Sequence, residues 1–464
     1  MPQDDQDYLR DFYRALVDRP LEPDEDWYVD LYHDPALATY DPVEQLATGI
    51  EWSTHESTHL FSGFRGTGKS TELRRLRARL QGTGRHVVVL CDMVDTLNLA
   101  TPVDATDFLI GVAGAFGDAL STDADLLGAD PHRETYWQRV LRLFRDSNVD
   151  LEVHLGGTVG VASAQLKSNL RQDPTFRDRL RERMEGHLGA LVEDVRTYMA
   201  GCVQAVRAKH GEHVQVVLLL DSIEQMRGTS IATAENVYAS VETLFSNHAD
   251  SLRFQNLHVV YTVPPWLKIR SPGIAGEYGG MQLLPCVRVR SRDGAVFSPG
   301  VDALERVVAR RGDWTRLLGS RDRLDALINA SGGYLRDLFR LIQGCLRQAR
   351  GRRLPISEAL LETAIAEVRT SYLPLARSDA RWLATIRQTH TPELAVHRAG
   401  SESSNLYDLS RFFDTHLVLC YRNGEEWYDV HPLLHDEVAR QAAATPVSPG
   451  EARVDRPTGG TGQR

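Results

Sequence analysis

Short apolar runs alternate with stretches of helical period over the first 300 residues of the chain. The runs are of strand length, and most of them are apolar at nearly every position rather than at alternate positions. Continuous apolar strands that alternate with helices are typical of a parallel sheet covered on both faces. The pattern predicts an α/β fold with strands at 58–63, 86–93, 214–221, 257–263 and 285–290.

The chain after residue 296 has a predominantly helical pattern. Three helices are predicted at 300–311, 321–329 and 333–350, which would form a helical domain at 296–352. Three more are predicted at 357–371, 378–389 and 404–413, followed by a hairpin that turns at Asn423-Gly424. Asn-Gly is the strongest short signal for a hairpin turn. Three helices and a hairpin are typical of a winged-helix domain, which we place at 353–441.

The two ends of the chain have their own patterns. Residues 1–55 form a helical and irregular extension, in which Asp41 and Pro42 match the N-cap and first position of a helix at 43–52. The tail at 442–464 is rich in Pro, Gly and charged residues, and we expect it to be disordered.

A mainly helical insertion is predicted at about 100–210. It contains a small hairpin over 150–165 that turns at Gly156-Gly157. A long amphipathic helix, or a broken pair of helices, follows over 174–210.

The composition is that of a soluble globular protein. The chain has 464 residues, is 42% hydrophobic and 25% charged, and carries a formal net charge of −10. It lacks both an apolar run of membrane-spanning length and a signal-peptide pattern, so we expect a cytoplasmic location and no membrane contact. The five cysteines are widely spaced, which argues against a zinc site or a disulfide framework. The acidic balance gives no general attraction for nucleic acid.

Residues 63–70, Gly-Phe-Arg-Gly-Thr-Gly-Lys-Ser, match the pattern of a phosphate-binding loop. The glycines let backbone N–H groups approach phosphate oxygens, and the following helix directs its positive end toward them. Lys69 is one of four lysines in an arginine-rich chain, and its compact charge suits the space between the β and γ phosphates. The position between a strand and a helix disfavours a chance glycine-rich turn. We predict that the nucleotide is bound by Gly63, Arg65, Gly66, Thr67, Gly68, Lys69, Ser70 and Thr71, and that the Ser70 hydroxyl binds Mg²⁺.

An acidic pair follows the third predicted strand. Asp221 ends the strand and Glu224 comes three residues later. The carboxyl end of a central parallel strand lies beside the phosphate crevice, where Asp221 could hold Mg²⁺ and Glu224 could activate the attacking water. The alternative is that Asp221 only caps the next helix.

Taken together, these motifs resemble those of AAA+ ATPases. The Walker A loop, the Walker B strand, the helical lid and the winged helix are similar to the branch shared by Orc/Cdc6-like replication initiators and STAND signalling ATPases. The resemblance covers about residues 40–440. It implies a P-loop NTPase core at 56–295 with a helical insertion, followed by a lid and a winged-helix domain. Ser222 stands where most AAA+ members have the catalytic glutamate, and the position of Glu224 resembles STAND proteins.

The resemblance also implies two sensor residues. Thr262, at the end of the fourth predicted strand, matches the first sensor, with an ordinary β-branched strand residue as the alternative. Val263 follows it where STAND proteins usually have an arginine. Arg336, after a glycine turn, matches the second sensor, which contacts the γ-phosphate from the lid. A surface arginine is the alternative, and Arg340 is a possible substitute one turn later.

Three further roles are implied by the family. Arg270 is the candidate for an inter-subunit arginine finger, with a solvated loop arginine as the alternative. His431 resembles the winged-helix histidine that senses nucleotide in STAND proteins, with a structural histidine as the alternative. Adenine would be bound around residues 40–46, and the absence of an Asn-Lys-x-Asp signature favours ATP over GTP.

These features predict a Mg²⁺-dependent ATPase that acts as a nucleotide-driven switch. We expect it to signal through a separately encoded protein partner or through a homo-oligomer, and the resemblance suggests bacterial signalling or antiviral defence. The alternative is a DNA-handling ATPase of the initiator, loader or transposition type. The presumed recognition helix carries two acidic residues, Asp408 and Asp414, and a single basic one, Arg411. This balance of charge does not favour contacts with the phosphates of DNA.

Overall fold

Five parallel strands form the central sheet of the protein in a computed structural model that describes residues 3–130, 134–146, 159–228, 231–392 and 402–443. They are β1 (Ser57–Gly63), β2 (His86–Asp92), β3 (Gln215–Asp221), β4 (Leu257–Val263) and β5 (Met281–Leu284). Their order across the sheet is β2-β3-β4-β1-β5, and each neighbouring pair is parallel. All seven residues of β4 are buried, as expected for a strand covered on both faces. The predicted parallel α/β sheet is confirmed.

The fifth strand lies earlier than we predicted. The strand predicted at 285–290 is wrong, because β5 ends at Leu284 and the chain then leaves the sheet. The Cys286 N–H donates to the Cys420 carbonyl at 3.0 Å, and the Val287 N–H donates to the Gly333 carbonyl at 3.1 Å. These backbone groups bind other domains of the protein and are therefore not available to extend the pairing with β1.

The first three helices of the chain are α1 (Gln3–Ala15), α2 (Pro42–Trp52) and α3 (Lys69–Gln81). Helices α2 and α3 lie next to one face of the sheet, whereas α1 belongs to a separate hydrophobic cluster. The apolar sides of α2 and α3 form one hydrophobic cluster with Phe61 and Val217 of the sheet. The Asp41 carboxylate accepts a hydrogen bond from the Val43 N–H at 2.9 Å, and Pro42 is the first helical residue. The predicted start of this helix is confirmed.

The opposite face is covered mainly by the insertion. Its helices are α4 (Ala105–Thr122), α5 (Tyr136–Asp146), α6 (Val159–Gln172), α7 (Pro174–Met184) and α8 (Leu188–His210), and the core helices α9 (Ile231–Asn247) and α10 (Leu267–Arg270) follow. The long helical stretch is a broken pair, α7 and α8. The turn predicted at Gly156-Gly157 lies outside the described residues. The second half of that hairpin is wrong, because α6 begins at Val159 and buries Leu166 and Leu170 with helical spacing.

A second hydrophobic cluster forms the core of the lid. Its helices are α11 (Ser298–Ala309), α12 (Trp314–Leu318), α13 (Arg321–Ser331) and α14 (Leu335–Ala349), and α15 (Glu358–Thr370) lies in the same cluster. Helix α1 contributes Leu9 and Phe12 to it. A Cβ at Gly344 of α14 would lie 3.2 Å from the Cβ of Ala364, so the glycine lets α14 and α15 approach closely. Helix α15 thus packs with the lid, although it lies beyond the boundary predicted at 352.

The C-terminal domain contains α16 (Arg377–Thr389), α17 (Glu402–Asp414), the hairpin β6 (Val418–Asn423) and β7 (Glu425–Val430), and α18 (His435–Ala443). The strands pair antiparallel, and Gly424 between them has a φ of +98°. The hairpin predicted at this position is confirmed. Phe412 and Phe413 of α17 belong to the same hydrophobic cluster as the phosphate-loop residue Phe64, so the domain packs directly on the core. No helix among the described residues is both long and apolar enough to cross a bilayer.

Gly333 offers a test of how tightly the lid turn packs on the core. Gly333→Ala would place a Cβ 1.7 Å from the Val287 carbonyl oxygen at a φ of +76°. Gly351 has a similar φ of +74°, and no atom lies within 4 Å of the position that a Cβ would take there. We expect Gly333→Ala to lower the free energy of unfolding by about 3–5 kcal/mol and Gly351→Ala by about 1 kcal/mol. Urea denaturation measures both, and equal losses would contradict the packing described here.

Candidate active site

The phosphate loop joins β1 to α3 at the carboxyl edge of the sheet. Gly66 and Gly68 have φ angles of +86° and +100°, in the left-handed region that favours glycine. A Cβ at Gly66 would lie 2.7 Å from Nε of Arg336, so a larger residue would collide with the lid. The local sequence thus forms the predicted cradle between a buried strand and a helix N-terminus.

The Lys69 side chain is buried under this loop. Its Nζ donates to the carbonyl oxygens of Gly63 and Phe64, both at 2.7 Å, and lies 3.2 Å from Oε1 of Glu224. Burial lowers the pKa of the ammonium, and the carboxylates of Glu224 and Asp221 offset part of that effect. The structure therefore brings together the predicted lysine and the predicted acidic pair.

The acidic pair follows β3 at the same edge. Burial and the neighbouring Glu224 charge raise the pKa of Asp221, while hydrogen bonding from Ser70 and from the Ser222 N–H lowers it. Ser222 has a φ of +70°, which turns the chain so that Glu224 faces Lys69. A buried carboxylate beside a hydroxyl is a donor set of hard oxygens that fits Mg²⁺. Asp221 and Ser70 are therefore the side chains that would hold this ion.

Glu224 has one carboxylate oxygen in contact with Lys69 and another that is buried. Among the described residues, its Oε2 has no hydrogen-bond partner. A buried carboxylate oxygen without a hydrogen-bond partner destabilises the folded protein. Such oxygens are rare, and some of them belong to groups that act on a ligand. This oxygen is therefore available to a water or phosphate in the site.

Thr262 lies at the end of β4, as predicted, but its hydroxyl is engaged within the protein. Its Oγ1 donates to the Leu220 carbonyl at 3.1 Å and accepts from the Ile223 N–H at 3.0 Å. The hydroxyl proton is thus not free to contact a phosphate. In this arrangement Thr262 holds the turn that carries Glu224.

Arg336, which the resemblance assigns to the second sensor, extends from the lid helix α14 to the phosphate loop. It lines the same pocket as Lys69, Ser70 and Glu224, and its Nε donates to Oδ2 of Asp18 at 2.6 Å. Asp18 belongs to the N-terminal extension, so this segment also reaches the site. Arg340, the possible substitute, instead pairs with Asp337 at 2.8 Å and does not line this pocket.

Arg270 does not have the exposed position that an inter-subunit finger requires. Its guanidinium pairs with Glu235 at 3.0 Å and with Glu242 at 2.8 Å, and only 6% of its side chain is exposed. Both glutamates belong to α9. The structure therefore gives Arg270 a structural role between α9 and α10, and neither a finger nor the alternative of a solvated loop arginine matches this position.

His431 is fully buried between the winged-helix domain and the lid. Its Nε2 lies 3.2 Å from Oδ2 of Asp337, which also accepts a hydrogen bond from the Tyr372 hydroxyl at 2.6 Å. Its Nδ1 accepts a hydrogen bond from the Leu433 N–H at 3.3 Å, so the imidazole proton lies on Nε2. His431 thus does not line the phosphate pocket, but it contacts the residue next to Arg336.

The lid and the winged helix both bind the phosphate loop through residues that we did not predict. The Tyr334 hydroxyl donates to the Arg65 carbonyl at 2.6 Å, and His416 Nε2 binds the same oxygen at 3.1 Å. The Tyr334 and His416 rings stack at 4.8 Å, and Phe413 stacks on Phe64 at 5.7 Å. An aromatic residue two positions before Arg336 was the available signal for Tyr334, whereas nothing local marks His416.

A second pocket lies on the other side of the phosphate loop. Gly66, Gly68, Thr71 and Arg336 line both pockets, so the two are parts of one site. The wall of this pocket is the aromatic part of the N-terminal extension, with Trp27, Tyr28, Tyr32 and Tyr40. We predicted adenine recognition around 40–46, but of that range only Tyr40 lines the pocket. Asp41 instead caps α2 and pairs with Arg75.

Comparisons with known proteins give remote structural likeness. No protein-family model matches the chain, and no curated protein matches it at a significant level. The chain is similar to the Aeropyrum pernix ORC2 protein in its ADPNP–ADP complexes, with 13% identity over 93% of this chain and 99% of that chain and a TM-score of 0.35. It is also similar to Cdc6p from Pyrobaculum aerophilum, with 13% identity over 86% of this chain and 93% of that chain and a TM-score of 0.34.

A third similar structure is the Aeropyrum pernix ORC1 protein in complex with DNA, with 14% identity over 86% of this chain and 93% of that chain and a TM-score of 0.35. These proteins are of the Orc/Cdc6 branch that the sequence resembles. The STAND part of the resemblance stays a prediction. Likeness at this level carries no argument about function, which must rest on the site itself.

The Asp337 cluster predicts a specific dependence of stability on pH. Burial alone would raise the pKa of Asp337, but His431, Tyr372 and Arg340 lower it to about 2. An unfolded aspartate titrates near pH 3.9, so the cluster contributes stability above about pH 4 and loses it as the pH falls toward about 2. We expect Asp337→Asn to lower the free energy of unfolding by about 3 kcal/mol at pH 7.

Chemical denaturation between pH 7 and pH 2 measures this effect. The difference between wild type and Asp337→Asn should shrink between about pH 4 and pH 2. Asp24→Asn, at an exposed position, is the matched control and should change stability by less than about 0.5 kcal/mol. A difference that stays constant over this range would show that the charge of Asp337 is not the stabilising feature.

Proposed function

We propose that this protein is a Mg²⁺-dependent ATPase that works as a nucleotide-driven switch. The observation that carries the proposal is the buried Lys69 ammonium, held between two loop carbonyls and Glu224. A glycine cradle with a buried cation at its base is suited to the phosphates of a nucleotide. The adjacent carboxylates add the means to hold a metal ion and to activate water.

The proposed reaction is hydrolysis of the γ-phosphoryl group. The oxygen of a water forms a bond to the γ-phosphorus while the bond to the β–γ bridging oxygen breaks, and ADP leaves with that electron pair. Glu224 accepts the proton of the water, and its buried Oε2 is the atom free to do so. Lys69 neutralises charge on the phosphate oxygens. Mg²⁺ held by Ser70 and Asp221 would add Lewis-acid stabilisation of the same charge.

The aromatic pocket beside the loop supports a nucleotide with a purine base. Trp27, Tyr28, Tyr32 and Tyr40 offer flat apolar surfaces next to Gly66 and Gly68, and such surfaces suit the faces of a base. The absence of a guanine-recognition signature in the sequence favours ATP.

The switch part of the proposal rests on contacts to the loop. Tyr334 of the lid turn and His416 of the winged-helix domain bind the same loop carbonyl. Changes at the phosphates can therefore alter the position of both domains. We propose that a separate protein partner or a homo-oligomer receives this change in the cytoplasm. A role in bacterial signalling or antiviral defence rests on family resemblance alone.

The second candidate function is a DNA-handling ATPase. The presumed recognition helix α17 offers little for DNA in this arrangement, because Arg411 pairs with Asp379 and Asp408. Asp414 of the same helix accepts a hydrogen bond from Tyr238 of the core at 3.2 Å. Binding of duplex DNA would require another surface or a different position of the domain.

Two substitutions test the nucleotide site. Lys69→Ala should weaken ATP binding by about 10–100-fold, because it removes charge-assisted hydrogen bonds to phosphate. Glu224→Gln should retain ATP binding and lower kcat by about 10²–10⁴-fold, because it removes the proton acceptor. Equilibrium binding of ATP and release of inorganic phosphate are the measurements.

Matched controls separate these effects from changes in charge alone. Lys209→Ala and Glu212→Gln lie outside the site and should leave both quantities unchanged. Unchanged turnover in Glu224→Gln would exclude Glu224 as the base. Mass photometry with and without ATP tests whether the protein assembles into oligomers. Stimulation of ATP hydrolysis by duplex DNA, with a dependence on salt concentration, would favour the DNA-handling alternative.

A further inference from the structure

Among the described residues, one cationic side chain of the phosphate pocket differs from the others because it forms no ion pair. Six cationic side chains line it: Arg19, Arg65, Lys69, Arg74, Arg77 and Arg336. Among the described residues, every one except Arg65 forms an ion pair with a carboxylate. The pairs are Arg19 with Glu25, Lys69 with Glu224, Arg74 and Arg77 with Glu22, and Arg336 with Asp18.

The Arg65 side chain lines one cleft together with Arg227 and Arg336. Burial lowers its pKa, and the like charges of Arg227 and Arg336 lower it further. The nearby Glu224 carboxylate has the opposite effect but is not within ion-pair distance. The Asp414 carboxylate lies in the same cleft and interacts with Arg65 and Arg227, but among the described residues it forms no ion pair with Arg65. Three guanidiniums beside this one carboxylate leave an excess of positive charge, which a further anion would neutralise.

The main chain of Arg65 is held by two domains outside the core. The Tyr334 hydroxyl and His416 Nε2 both lie within hydrogen-bond distance of its carbonyl oxygen. Burial lowers the pKa of His416 to about 3, so the imidazole is neutral near pH 7 and its Nε2 must carry the proton that the carbonyl accepts. The stacked rings of Tyr334 and His416 fix both donors relative to each other. The lid and the winged helix together thus determine where the Arg65 peptide lies.

We propose that Arg65 acts in the same chain to neutralise the charge that develops on the transferred γ-phosphoryl group, and that Tyr334 and His416 position it. Arg65 then takes the role that a finger from a neighbouring subunit would have. Arg270, which the sequence favours for that role, is engaged by two glutamates. The inference rests on the proposed ATPase function and adds a catalytic residue and two positioning residues to it.

The first test compares ground-state and transition-state ligands at equilibrium. We expect Arg65→Ala to bind AMP-PNP within about threefold of wild type but ADP with aluminium fluoride about 10³-fold more weakly, because the latter mimics the transferring group. kcat should fall by a similar factor. Arg85→Ala removes one charge from an exposed position outside both pockets and should leave both affinities within about threefold of wild type.

The outcomes separate this inference from the proposed function. Wild-type protein that binds no nucleotide would overturn both. Wild-type protein that binds both ligands, with Arg65→Ala binding ADP–aluminium fluoride equally well, would overturn only the role of Arg65. This measurement remains decisive even if turnover is slow.

A second test asks whether Arg65 acts within its own chain. Arg65→Ala and Glu224→Gln are mixed, so that a neighbour could supply the arginine that one variant lacks. An arginine acting in cis predicts no recovery of phosphate release at any mixing ratio. Recovery in the mixture would show that the arginine acts on a neighbouring subunit and would overturn the proposal.

A third test examines the positioning residues. Tyr334→Phe should lower kcat by about tenfold with little change in KM, because it removes one hydrogen bond to the Arg65 peptide. In the Arg65→Ala background the same change should have almost no further effect on kcat, since the residue it positions is gone. Equal losses in both backgrounds would show a general structural role and contradict the positioning role.

Discussion

The burial of the Lys69 ammonium is the constraint on which the site depends. An ion removed from water costs several kcal/mol unless oxygen atoms replace its hydration. Here they come from the carbonyls of Gly63 and Phe64 and from Glu224. The end of β1 and the turn after β3 must therefore meet at one point. The parallel order of β3, β4 and β1 makes this possible, because it brings their carboxyl ends to the same edge.

The phosphate loop is also the point at which the domains meet. A single carbonyl, that of Arg65, receives donors from the lid and from the winged-helix domain. Phe64, its neighbour, stacks on Phe413 of α17. A loop can usually change conformation to fit its ligand, but here the lid and the winged-helix domain both form hydrogen bonds to the main chain of the loop. The position of the loop and the positions of these two domains are consequently coupled through the backbone of the loop as well as through side chains.

The sequence was sufficient for features set by local spacing and insufficient for those set by distant partners. The strand–loop–helix order, the Asp41 cap and the Asn423-Gly424 hairpin depend on neighbouring residues, and they were predictable. The strand expected at 285–290 had suitable alternation, but its backbone binds Cys420 and Gly333 instead. The hydroxyl of Thr262 and the guanidinium of Arg270 are likewise used by groups far away in the chain. Residue type and spacing do not encode such pairings.

The lid helix combines two contacts that cannot change independently. Arg336 and Asp337 are consecutive, so their side chains leave α14 about 100° apart around the helix axis. One faces the phosphate pocket and Asp18, and the other faces His431 and Tyr372. A rotation of α14 that moves Arg336 toward a phosphate must also strain or break the buried Asp337 contacts. The winged helix must therefore resist or follow any such movement of the lid, because His431 contacts Asp337.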